Sequence, residues 1–173
     1  LRFLESIQDD YPWLEHASID MSSTNSFPHS AGIASSASAM SALALCLVDI
    51  DQQIQHQTWE DSDDFRQRSS EVARLASGSA ARSVYPFLAR WGVSTISNNG
   101  SNNHADYVGN NIDPVVSDYK NSILILSSAT KSVSSSAGHR LMAGNRFASE
   151  RFKQANENLE QLLRHCLLYT SPS

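Results

Sequence analysis

The sequence predicts an α+β domain, and three observations carry that prediction. Two long segments repeat apolar residues at three- and four-residue steps, the period of a helix. Several short runs alternate or concentrate apolar residues as strands do. Helical and extended segments are interleaved, and no internal repeat is visible. The chain has 173 residues, 40% of them hydrophobic. That length suits one domain, or two halves of a split one, with enough apolar material for a core.

Taken in order, Leu1, Leu4 and Ile7 fall on one face of an opening helix. Residues 16–22 (HASIDMS) alternate apolar and polar side chains, which predicts a strand. A loop punctuated by Pro28 follows. From about Ile33 a long helix is expected, because Ile33, Ala37, Met40, Ala44 and Leu47 form a stripe that Leu43 widens. A second helix is predicted over 63–76. Asp61, Asp63 and Asp64 complement its dipole, and Phe65, Val72 and Leu75 form its apolar face. Residues 83–92 (SVYPFLARWG) read as a strand at an edge or bulge, because Pro86 cannot donate to a ladder. Residues 97–105 read as a surface loop, and 121–128 (NSILILSS) as a buried strand. Two helices are expected over 134–165, broken near 143–145.

Composition narrows the function. Thirteen Lys and Arg against eighteen Asp and Glu leave a net charge of −5. An acidic chain is poorly suited to wrapping nucleic acid or lying on an anionic membrane. No apolar run approaches the ~20 residues of a spanning helix. The first ten residues lack the pattern of a secretory leader. Two cysteines, Cys46 and Cys166, cannot frame a disulfide scaffold or a four-ligand zinc site, and the six histidines show no ligand spacing. These features point to a cytoplasmic domain without a protein-held metal. Asn99-Gly-Ser101 fits a glycosylation acceptor, which a cytoplasmic chain would leave unmodified. The chain holds 30 serines but only 7 glycines and 5 prolines. The serines sit among alanines and branched residues, unlike those of a disordered tract.

Three serine-rich segments could carry chemistry. In residues 27–38 (FPHSAGIASSAS) a proline-bearing loop enters a helix through Gly32, Ala34, Ser35 and Ser36. Small residues let a ligand approach the backbone, and the first-turn amides lack intrahelical partners, so the segment suits phosphate. An ordinary serine-capped helix has the same pattern. In residues 76–83 (ASGSAARS), Gly78 lies between Ser77 and Ser79, with Arg82 one turn on. Such an arginine can grip carboxylate or phosphate with two hydrogen bonds. The plainer reading makes Gly78 a helix C-cap and Arg82 a surface residue. In residues 127–138 a strand ends in serines, and a helix begins near Ser134 and Ser135. Ser128 and Lys131 match the S-x-x-K spacing of serine acyl-transferring enzymes. That chemistry needs both on one helix, whereas Ser128 closes the expected strand.

Together these segments resemble the GHMP kinase superfamily, and within it the diphosphomevalonate decarboxylases. The superfamily's phosphate loop, P-x-x-x-G-[LI]-x-S-S-A, is matched by residues 28–37. AGIASSA (31–37) follows the decarboxylases' A-G-L-A-S-S-A form, with Ile33 for leucine. SSTNSFP (22–28) is similar to their S-E-N-x-x-P stretch, with Thr24 at the acid. SGSAARSVY (77–85) looks like their S-G-S-A-C-R-S-x-[YF], with Ala81 for cysteine. TKSVSSSAGH (130–139) resembles their K-x-V-S-S-x-x-G-M, with His139 for methionine.

The resemblance implies a GHMP-type two-layer fold (ribosomal S5 domain 2-like), truncated at both ends. Residues 1–118 would be the C-terminal portion of the GHMP N-terminal domain. Residues 119–166 would start the C-terminal domain, and 167–173 would be a tail of separate origin. The implied reaction is ATP-dependent decarboxylation of mevalonate 5-diphosphate to isopentenyl diphosphate, a step of isoprenoid synthesis. Gly32, Ala34, Ser35 and Ser36 would hold the ATP phosphates, with Mg²⁺ neutralising them. Ser23 and Asn25 would line the nucleotide side. Ser77, Gly78, Ser79, Arg82, Ser134 and Ser135 would meet the substrate. The family's catalytic aspartate is expected beyond residue 173, which makes the fragment inactive alone. The whole enzyme is expected as a homodimer. A GHMP small-molecule kinase acting on mevalonate or phosphomevalonate is the nearest alternative. A non-catalytic anion-binding module comes from another class.

Overall fold

The computed structural model describes residues 2–27, 35–57, 63–94, 100–109, 118, 120, 122–124 and 135–168. Within them the chain forms α1 (Arg2–Glu5), α2 (Ser35–Ile54), α3 (Asp63–Ala76), α4 (Ser135–Arg140) and α5 (Ala148–Leu168). A 3₁₀ turn spans Pro12–Glu15 and a 3₁₀ segment spans Gly78–Val84. Strands β1 (Ala89–Trp91) and β2 (Ala105–Tyr107) pair antiparallel, with Arg90 opposite Asp106. The architecture is helix-rich α+β with one small two-stranded sheet.

The core lies where α2, α3 and the 3₁₀ segment pack on one another. The expected stripe of α2 faces it: Ala37, Ala44, Leu47 and Val48 are buried, with Met40 and Leu43 packed at the margin. The N-terminal segment closes one side through Ile7, Tyr11 and Leu14. Trp13 Nε1 donates to Asp51 Oδ1 at 3.0 Å, tying that segment to α2. The Arg68 guanidinium lies 5.2 Å from the centroid of the Tyr11 ring, a cation–π contact between the same segment and α3.

Helix α3 spans the expected residues, with Asp63 and Asp64 in its first turn. Its inward face differs in part from the one expected. Val72 is buried and Phe65 packs against the core as expected, but Leu75 is 49% exposed, and Ser69, Ser70 and Ala73 are buried instead. These small side chains let the 3₁₀ segment approach α3 closely, and Leu75 falls on the flank of that contact.

Three strand expectations change. Residues 16–22 form no strand; Ile19 and Met21 are exposed, and among the described residues no strand pairs with them. Only 89–91 of the expected strand 83–92 is extended and paired. Residues 78–84 instead coil into the 3₁₀ segment, and the chain turns at Pro86 and Phe87, the latter with φ 58° and 82% exposed. Residues 122–124 of the expected buried strand are irregular, with Ile123 and Leu124 exposed, and among the described residues no strand pairs with them; 121 and 125–128 lie outside the described residues. At the end of the expected loop 97–105, Ala105 begins β2. The break between the last two helices falls at 141–147, where Gly144 takes φ 77°. No described helix is long and apolar enough to cross a membrane.

Candidate functional site

The best-defined candidate is the 3₁₀ segment Gly78–Val84 with the serine before it. Ser77 is extended (φ −160°, ψ 116°). Its amide still donates to Ala73 O at 2.9 Å, and its carbonyl accepts from Ala80 N at 2.8 Å. The chain thus leaves α3 and winds at once into the tighter turn. Ala80, Ala81 and Val84 point into the core, while Ser77 and Ser79 are half-buried and Arg82 is exposed. Buried methyl groups on one side and polar groups on the other give this short segment an anchoring face and a presenting face.

Gly78 is not the left-handed C-cap that the plainer sequence reading offered, because its φ is not positive. Its missing side chain makes room for an indole. A Cβ there would stand 3.0 Å from Trp91 Cη2 and 3.2 Å from Trp91 Cζ3. Trp91 is itself held by a hydrogen bond from Nε1 to Asn102 O at 3.1 Å.

On the α3 side, the buried Ser70 hydroxyl donates to Ala81 O at 2.8 Å and accepts from Ala105 N at 2.8 Å. Arg66 Nη1 donates to Val84 O at 3.3 Å, and Arg74 Nε to Asn103 O at 2.7 Å. The 3₁₀ segment is therefore held by α3 along its length and by the hairpin at Gly78. Sequence reasoning passed over Ser70, Arg66 and Trp91. The sequence carries no signal that separates Ser70 from its neighbour Ser69, which is equally buried.

Burial pushes the Tyr85 phenol, just after the segment, up to about 12, reinforced by the negative charges of Asp106 and Asp63. Nearby, Arg90 is 6% exposed and Nη2 meets Asp106 Oδ2 at 3.3 Å across the ladder. That arginine serves the hairpin, whereas among the described residues no carboxylate pairs with Arg82.

The other expected site residues are distributed as follows. Ser35 and Ser36 open α2, half-buried and exposed respectively. They stand in the first turn of a 20-residue helix, where backbone amides have no intrahelical partner. Ala37, one residue on, belongs to the same core cluster as Ala80 of the 3₁₀ segment. Ser23 is exposed and Asn25 half-buried in an irregular stretch. Ser135 begins α4. Gly32, Ala34 and Ser134 lie outside the described residues, as does Lys131.

A groove of about 240 Å³ beside α3 is less suited to an anion. Arg68 on its wall faces Glu71 at 3.4 Å and Asp10 at 3.9 Å, and Arg74 is spent on a carbonyl. Among the described residues, no three His, Cys, Asp or Glu side chains gather as a metal site.

Residues 1–103 match the family described as the diphosphomevalonate decarboxylase-like N-terminal domain. A diphosphomevalonate decarboxylase of Schizosaccharomyces pombe is 29% identical over 137 residues, covering 78% of this chain and 31% of that protein. The chain thus spans about a third of that relative's length. No solved structure matches the chain significantly.

Proposed function

This chain belongs to the diphosphomevalonate decarboxylase-like N-terminal domain family, and from that membership we propose that it supplies the anion-binding loops of an ATP-dependent decarboxylase. The complete protein would convert mevalonate 5-diphosphate to isopentenyl diphosphate in the cytoplasm, as a homodimer with a GHMP-type fold. Residues 1–118 would belong to its N-terminal domain and 119–166 to the start of the next.

The observation that carries the proposal is that the family match covers both the 27–38 and the 76–83 segments. The geometry supports it. Ser77, Ser79 and Arg82 lie on the outward side of a fixed segment that packs against the helix opened by Ser35 and Ser36. ATP and the substrate are polyanions, and the chain carries −5. Hydroxyls and helix-start amides attract phosphate without adding positive charge. Arg82 adds one cation that no described carboxylate neutralises, suited to a diphosphate or carboxylate.

The start of α2 fits a nucleotide polyphosphate through Ser35 and Ser36, with Gly32 and Ala34 proposed beside them. Mg²⁺ commonly takes its oxygens from substrate phosphates and water, so an ion arriving with ATP would need few protein ligands. Bound there, it would neutralise phosphate charge. The chain's own residues bind and orient, the main protein contribution to phosphoryl transfer.

The test is stoichiometry in the complete protein. With mevalonate 5-diphosphate and ATP, CO₂, ADP and inorganic phosphate should appear in equal amounts. A stable phosphorylated acid without CO₂ would identify a kinase. Nucleotide binding with no turnover would identify a binding module.

A further inference from the structure

We infer that Ser70 is a positioning residue for the anion-binding segment. Its hydroxyl joins the hairpin to the 3₁₀ turn and sets where Ser77, Ser79 and Arg82 stand. The inference rests on the reading that these residues meet the substrate, and adds the element that holds them in register.

The geometry is specific. Ser70 is 0% exposed, on the inward face of α3. Its one oxygen accepts from Ala105 N, the first residue of β2, and donates to Ala81 O, the residue before Arg82. Both bonds are 2.8 Å, and the groups joined are 24 residues apart in sequence. Ala105 stands opposite Trp91 in the β1–β2 ladder and Ala81 lies within the 3₁₀ turn, so the hydroxyl ties the hairpin strand directly to the turn. An oxygen that donates and accepts at once is polarised in both roles, which strengthens each bond. Loss of the hydroxyl would leave a buried amide and a buried carbonyl without that partner, and the turn could shift relative to α3.

The neighbouring residue provides a matched control. Ser69 is also 0% exposed, on the same helix, and among the described residues its hydroxyl has no hydrogen-bond partner. Ser69→Ala and Ser70→Ala remove the same atom from equally buried positions, but only one of them breaks the bridge.

The experiment compares both variants in the complete protein. Ser70→Ala should raise KM for mevalonate 5-diphosphate about tenfold, the size expected when buried hydrogen bonds are lost. KM for ATP should change less than about twofold, and Ser69→Ala should change neither constant beyond that. Hydrogen exchange supplies a readout independent of turnover. Amides of Gly78–Val84 and of Ala105 should exchange faster in Ser70→Ala than in Ser69→Ala. Equal substrate KM and equal exchange in the two variants overturn the inference. If the unaltered protein does not turn over, the decarboxylase reading fails by itself, and the exchange comparison alone decides the role of Ser70. If Ser70→Ala does not fold while Ser69→Ala does, Ser70→Thr keeps the hydroxyl and should restore substrate KM; Ser70→Val, of equal bulk, should not. Thr and Val performing alike would overturn the inference.

Discussion

Replacing Gly78 by alanine tests how tightly the 3₁₀ segment meets the hairpin. The new methyl would stand 3.0 Å from Trp91 Cη2. Ordinary carbon contacts fall near 3.5–4.0 Å, so the ring must retreat by roughly 0.5–1 Å. Trp91 is anchored through Nε1 to Asn102 O, which resists that retreat, but it is 37% exposed and has solvent on one side. Overpacking of this kind costs about 1–3 kcal/mol, and partial exposure favours the lower end. Against it, alanine narrows the unfolded ensemble and contributes about 0.4–1 kcal/mol where the backbone is tolerant. The net effect is a loss of about 1 kcal/mol, or about 2–4 °C in Tm for a chain of this size. Thermal melting followed by circular dichroism measures it. In a Trp91→Ala background the clash is gone, so Gly78→Ala should become neutral or stabilising. An equal loss in both backgrounds, or a rise in Tm from Gly78→Ala alone, would refute the reasoning.

Two further expectations concern the frame around the site. Leu47→Ala, at 2% exposure in the core, should destabilise by about 2–5 kcal/mol in urea unfolding, whereas Leu75→Ala, at 49% exposure, should cost less than about 1 kcal/mol. For Tyr85, the folded chain holds the phenolic proton to about 12, against 10.0 in the unfolded chain. The folded state then binds more protons in between, so the associated stability is complete below about pH 10 and declines as pH rises through about 12. Tyr85→Phe should flatten that part of the Tm–pH profile, though Tyr11, likewise raised by burial, keeps some slope. A profile unchanged by Tyr85→Phe would show that another group sets the decline.

The α2 stripe was legible because Ala37, Ala44 and Leu47 are apolar and periodic, and one core buries them all. Helix α3 was legible from its acidic start and from Phe65 and Val72. Its inward face was legible only in part, because beside Val72 the packing selects small side chains over greasy ones. Two serines and an alanine win over Leu75 where a backbone turn must come close. Ala105–Tyr107 has no strand pattern, and its pairing with β1 brings Arg90 against Asp106 across the ladder. Residues 16–22 have the strand pattern without a described partner, and alternation alone cannot satisfy backbone groups. For the site, the motif reading named Ser77, Ser79 and Arg82, and the structure leaves the two serines half-buried and the arginine exposed. The motif could not reveal the fastenings, which come from residues 66, 70 and 91 and depend on tertiary placement.

The two-sided character of Gly78–Val84 has a consequence for how the molecule can change. Positions 80, 81 and 84 are locked into the interior, whereas 77, 79, 82 and 83 reach outward. Under the proposed function, drift in ligand preference would be channelled into a few exterior letters of the segment, leaving its winding intact. An anion docking there as proposed would surrender its own freedom but need freeze little of the protein, so selectivity would be retuned at small entropic penalty.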